Sequence, residues 1–114
     1  QDWNIIDVRD IAQAQRLLAT SEVAKNGSRY MMVATDESGE PTTRELIDIL
    51  SGMYPDIDVA RDYHPEQSNT RLRARCTKAM EELGLKPHAV LETLRDTAES
   101  LLELGVITPA KKGG

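Results

Sequence analysis

The stretch Trp3-Asn4-Ile5-Ile6-Asp7-Val8-Arg9-Asp10-Ile11-Ala12-Gln13-Ala14 decides the fold class. Trp3 to Ile6 reads as a short strand, rich in the large and β-branched residues that suit a pleated surface. It runs without a loop into a helical pattern. Asp7 is placed to cap that helix, and Asp10, three residues on, completes a variant capping box; both charges favour a helix N-terminus. Val8, Ile11, Ala12, Ala14, Leu17 and Leu18 form the expected apolar face, which fades through Val23 towards Asn26-Gly27. A strand feeding directly into a helix, with a second strand to follow, predicts an α/β arrangement.

The second strand is expected over Ser28 to Thr35, a nearly continuous apolar run of the kind buried on both faces of a mixed or parallel sheet. Asp36 to Pro41 is turn chemistry. Thr42-x-x-Glu45 is a capping box, and Leu46, Ile49, Leu50 and Met53 recur at helical spacing before Gly52 and Pro55 end the helix. Ile57 to Val59 suits a short edge strand, Tyr63 to Asn69 a loop, and the alternating Arg71 to Cys76 a half-buried strand. Thr77 is placed to cap a short helix bearing Ala79, Met80 and Leu83, with Gly84 as its left-handed terminator and Pro87 as a stop. A last helix carries Val90, Leu91, Leu94, Ala98, Leu101 and Leu102 to Gly105. The reading is therefore α/β: a small mixed sheet with three to four helices over residues 1–107, and a frayed, disordered tail over 108–114.

Composition sets bounds on function. At 114 residues the chain holds one domain, and its 39% hydrophobic and 29% charged residues are ordinary for a globular protein. A net charge of -5 argues against nucleic acid or an anionic membrane as partner. No apolar run approaches the ~20 residues of a membrane span. Cys76 is the single cysteine, so no internal disulfide is open to it and the expected compartment is the reducing cytoplasm. The chain begins with Gln rather than Met and its first structural signal comes at once, which fits a piece cut from a larger body.

The chemistry-bearing residues are few. No two of the seven glycines have the spacing of a dinucleotide loop or a P-loop, and no tyrosine is followed four residues later by lysine. His64 and His88 lack metal-type partner spacing. The irregular stretch Tyr63 to Arg75 is the one region not absorbed by capping or packing. Tyr63, His64, Arg71 and Arg73 are its candidate substrate-pocket residues: a loop histidine can line a pocket, and arginines on one strand face can meet a phosphate or carboxylate. The bland alternatives are a surface histidine and a solvated charged face. Arg75 shares that face. Cys76 sits before a helix start beside arginines, where a thiol can become reactive, but a small buried apolar residue explains it more simply. Asp7 and Asp10 resemble paired acid/base carboxylates, yet helix capping accounts for both. Glu99-Ser100-Leu101 shares Ser-Leu with the Asp-Ser-Leu of carrier proteins, but lies mid-helix and without the aspartate.

The order of segments adds a family resemblance. Asp7-Val8-Arg9-Asp10-Ile11-Ala12-Gln13-Ala14 resembles the strand-to-helix junction in the C-terminal half of extended short-chain dehydrogenases/reductases. Gly27-Ser28-Arg29-Tyr30-Met31-Met32-Val33-Ala34 is similar to that family's Gly-Arg-Tyr-apolar strand. Thr42 to Leu50 with Tyr54-Pro55, Thr77 to Pro87, and Leu91 to Leu101 resemble the three helical segments that follow there in the same order. The closest flavour is that of cinnamoyl-CoA and dihydroflavonol reductases. His64-Pro65-Glu66-Gln67-Ser68-Asn69 stands where the sugar-nucleotide epimerase branch carries an Arg-Pro-Gly-Asp type stretch.

The resemblance implies the substrate-side C-terminal lobe of a Rossmann-type parent that uses NADP or NAD to transfer hydride to or from a carbonyl or alcohol: an aldehyde, a ketone or a CoA thioester. It also implies that the glycine-rich loop and Tyr-x-x-x-Lys pair belong to a missing N-terminal cofactor-binding domain. On that reading the chain alone is catalytically incomplete, holds no catalytic, cofactor-binding or metal residue, and would self-associate through uncovered apolar surface. Three alternatives stand beside it: a stand-alone α/β protein-interaction module, the C-terminal part of a sugar-nucleotide epimerase or dehydratase, and an autonomous enzyme built on His64, Cys76 and surface carboxylates.

Overall fold

The computed structural model describes residues 5–34, 42–61 and 75–112. Four helices lie among them: α1 (Val8–Thr20), α2 (Thr43–Met53), α3 (Thr77–Leu83) and α4 (Val90–Glu103). Each matches a helix expected from apolar periodicity. The chain divides into two compact units. One comprises Asn4–Glu40 and Leu72–Val90, the other Gln1–Trp3, Pro41–Arg71 and Leu91–Gly114.

In the first unit, Asp7 caps α1 through its carboxylate, which accepts from the Arg9 backbone N–H at 2.9 Å. The Arg9 guanidinium also reaches that carboxylate through two bonds of 2.9 and 2.7 Å, so the buried Asp7 is both cap and ion-pair partner. Helix α1 ends at Thr20, earlier than a fade to Asn26. Ser21 takes over there, its hydroxyl accepting from the N–H groups of Val23 and Ala24. Gly27, at φ 83°, sits in the tight turn closed by the Ser28 N–H on the Lys25 carbonyl.

Helix α3 starts one residue differently from the expectation. Thr77 is its first helical residue rather than its cap, and Cys76 holds the cap position without a side-chain hydrogen bond. Gly84 ends it in the left-handed region at φ 72°, as its sequence position requires. That turn carries Leu85 back, its N–H reaching the Ala79 carbonyl, and Leu85 becomes one of the most deeply buried side chains. The unit's core is Ala14, Ala79, Leu83 and Leu85, with Leu17, Ala24, Tyr30 and Met32 packed against it.

The buried face of α1 is rotated from the one expected. Asp10 and Ala14 are buried, whereas Val8 is 78% exposed and Ala12 and Leu18 also face outward. At 100° per residue, Val8 lies about 200° round the helix from Asp10, on the opposite side. Asp10, Ala14 and Leu17 form the true stripe at i, i+4, i+7, and its first member is charged.

The described residues do not show the expected mixed sheet. Among the described residues no strand forms; Ile5–Ile6 and 28–34 carry no regular element. One backbone bond, from the Ala34 N–H to the Ile5 carbonyl, links two of the places where strands were expected, and Val33 and Ala34 are buried there. A pair of strands alone is marginally stable, and a sheet that stands by itself needs three or more or cover from a helix.

In the second unit, α2 begins with the predicted capping box: Thr42 accepts from the Glu45 N–H, and Glu45 reaches back to the Thr42 N–H. Ile47 is its buried residue; Leu46, Ile49, Leu50 and Met53 are half-buried. Helix α4 ends on Gly105 at φ 68°, with the Val106 N–H on Leu101 and the Gly105 N–H on Leu102, the paired bonds of a Schellman terminus. Ile57 makes an isolated antiparallel bridge to Lys111, flanked by bonds from Asp58 N–H to Ala110 and from Lys112 N–H to Asp56. The edge strand expected at 57–59 is reduced to this bridge, and its partner comes from the segment read as a tail.

Candidate functional site

Tyr63, His64, Arg71 and Arg73 lie outside the described residues. Arg75 is exposed. Cys76 is 2% exposed, a thiol without access to solvent. Among the described residues no three His, Cys, Asp or Glu side chains gather as a metal would need. No helix there is long and apolar enough to cross a membrane.

What the structure does bring together is a pair that the sequence reading does not join, Asp10 and His88. Asp10 has 0% exposure, and its carboxylate meets one residue twice. The His88 backbone N–H donates to Oδ2 at 2.8 Å, and His88 Nδ1 lies 2.6 Å from Oδ1. One helical turn along α1, Gln13 Oε1 accepts the Lys86 backbone N–H at 3.0 Å. Two side chains at i and i+3 on one helix therefore capture alternate N–H groups of the segment 86–88. Pro87, between them, has no N–H to satisfy. The segment is tied to α1 much as an edge strand is tied to its neighbour, with side chains in place of carbonyls.

The imidazole responds to this setting. The hydrogen bond to Asp10 holds the His88 pKa above its ordinary value; partial burial and the Arg9 charge oppose it, and the charges of Asp10 and Asp7 support it. The bond on Nδ1 leaves Nε2 outside the tie, the arrangement by which a buried acid orients a catalytic base. A base needs a proton to take, and among the described residues no hydroxyl or thiol bonds to that nitrogen. The pair acts as a tie.

A second cluster joins α3 to the stretch before Met31. Lys78 lies 4.6 Å above the Tyr30 ring and donates to the Arg29 carbonyl at 3.1 Å, while the Tyr30 hydroxyl donates to Glu82 at 3.3 Å. Burial, then the charge and hydrogen bond of Glu82, push the Tyr30 pKa up against a weaker opposing bond to Ser28. A tyrosine that gives up its proton to a substrate needs the reverse shift. This Tyr/Lys pair holds the chain in place.

Sequence reasoning assigned Asp10 to the helix cap and left His88 without a role. One local signal was available: Asp10 shares the Ala14–Leu17 stripe, and a charge on a buried stripe demands a partner. Comparison of the chain with protein-family models, with curated proteins and with solved structures finds no match.

Proposed function

We propose that this chain is the substrate-side part of an NAD(P)H-dependent oxidoreductase of the extended short-chain dehydrogenase/reductase type, acting on an aldehyde, ketone or CoA-thioester carbonyl or the matching alcohol. The observation that carries the reading is the company Asp10 keeps. Three segments on which the resemblance rests, Asp7–Ala14, Gly27–Ala34 and Thr77–Pro87, share the core of Ala14, Tyr30, Met32, Ala79, Leu83 and Leu85. Asp10 and Gln13 of the first then fasten Lys86, near the end of the third, and His88 just beyond it. The three segments that carry the resemblance thus pack against one another in one unit, which supports the reading.

On this reading the parent's hydride chemistry belongs to an N-terminal domain bearing a glycine-rich loop and a Tyr-x-x-x-Lys pair, working in the reducing cytoplasm. This chain covers one side of the substrate, with Tyr63, His64, Arg71 and Arg73 as its pocket candidates. The test is to read the coding sequence upstream of Gln1, express the longer product, and follow NADPH and NADH oxidation with a panel of aldehydes, ketones and CoA thioesters. Turnover by the longer product and none by the present chain is the expected result. A reading frame with no nucleotide-binding segment ahead of Gln1 overturns the proposal and leaves a stand-alone interaction module in its place.

A further inference from the structure

We propose that the Asp10–His88 tie is a proton-linked clamp, so that acidification through the neutral range tightens the attachment of residues 86–88 to α1 and alkalinisation loosens it. The inference stands apart from the reductase reading and needs only the geometry of the first unit.

Asp10 is the most enclosed charged side chain described, and both of its oxygens are occupied by His88. A buried carboxylate requires donors or a counter-charge. The backbone N–H supplies one donor at every pH. The ring supplies the other, and its strength depends on the proton count: a neutral imidazole donates from Nδ1 without charge, whereas an imidazolium donates and neutralises. The ring is 26% exposed, open enough to exchange its proton with solvent while the carboxylate is sealed.

The surrounding charges do not replace it. Arg9, on the same helix, is committed to Asp7 at 2.7 Å, and that pair's effects on His88 run in opposite directions. Gln13 is neutral and holds the Lys86 backbone, and Lys86 itself is exposed. His88 is therefore the one group bonded to Asp10 among the described residues that can take up a positive charge.

The sign follows from linkage. A histidine that binds its proton more tightly when folded contributes stability that is full below its unfolded value, about 6.5, and is lost as pH rises through the higher folded value. The window opens just below neutrality and extends upward.

His88→Asn tests this in the full chain. The backbone N–H to Asp10 survives, the amide can donate in place of Nδ1, and titration is abolished. Urea midpoints from pH 6 to pH 9 and a proton-NMR titration of the ring, assigned by the signal missing in the variant, are the two measurements. The expected result is a His88 pKa above 6.5 and a wild-type folding equilibrium constant that falls, relative to H88N, by about tenfold for each unit of that elevation. Parallel pH profiles, or a ring that titrates at or below 6.5, overturn the proposal. Should H88N fail to fold, a His64→Asn variant assigns the His88 signal instead, and its titration decides.

Discussion

Asp10 occupies a helix position that packing alone would give to an aliphatic side chain, between the core residue Ala14 one turn ahead and the capping Asp7 one turn behind. The two His88 nitrogens that meet its oxygens, together with its place in the first turn of the helix, let the position hold a charge. Replacing it with alanine strands the His88 N–H in a part-buried setting, and an unsatisfied buried donor costs about 1–3 kcal/mol. Asp10→Ala should therefore lower the urea midpoint well beyond the effect of Arg16→Ala, an exposed change on the same helix. Equal losses would mean the tie contributes nothing. Gly84 offers a second single-residue test. Its φ of 72° lies where a Cβ costs about 1–2 kcal/mol, and no heavy atom stands within 4 Å of the added methyl. Gly84→Ala should thus destabilise through backbone strain alone, leaving the Leu85 position intact by NMR. A neutral result would show that the turn relaxes.

At the scale of elements, the legible parts are those whose physics is local. Asp7, Thr42 with Glu45, and Gly84 act on groups two to six residues away, and their roles stand as the spacing implied. The Thr42 box is worth about 1 kcal/mol, so Thr42→Ala should shorten or fray α2, seen as faster amide exchange over its first turn with α4 unchanged. Equal exchange in both proteins would show that packing holds α2 without its cap. Non-local roles were hidden. The bond between residues 10 and 88 leaves no periodic trace, and the polarity of Asp10 itself turned the assumed face of α1 towards Val8. The strands suffered in the same way. An apolar run such as Tyr30 to Ala34 can signal burial, but whether it becomes a strand depends on neighbours that the run does not encode. The pocket candidates from Tyr63 to Arg73 rest on residues outside those described, so they stand as part of the proposal alone.

For the whole molecule, the question is where a nicotinamide cofactor would sit if the reductase proposal holds. A dinucleotide is gripped where a glycine-rich turn opens a helix and bare N–H groups meet the pyrophosphate. Among the described residues the left-handed glycines do the opposite work: Gly84 and Gly105 close α3 and α4, and Gly27 shapes a turn. The helix starts that are described with their caps begin at Asp7, Thr42 and Cys76, and the first turns of α1 and α2 already carry Asp10 and Glu45. A net charge of -5 adds a further penalty for a polyanion. The isolated chain should accordingly show no change in thermal midpoint with NADPH or NADH. A longer product containing a cofactor-binding domain should gain about 2.7 kcal/mol at a cofactor concentration about one hundred times its Kd, read as a rise in its own midpoint. Stabilisation of the present chain by NADPH would overturn the division of labour proposed here, because the cofactor site would then have to be built from these residues.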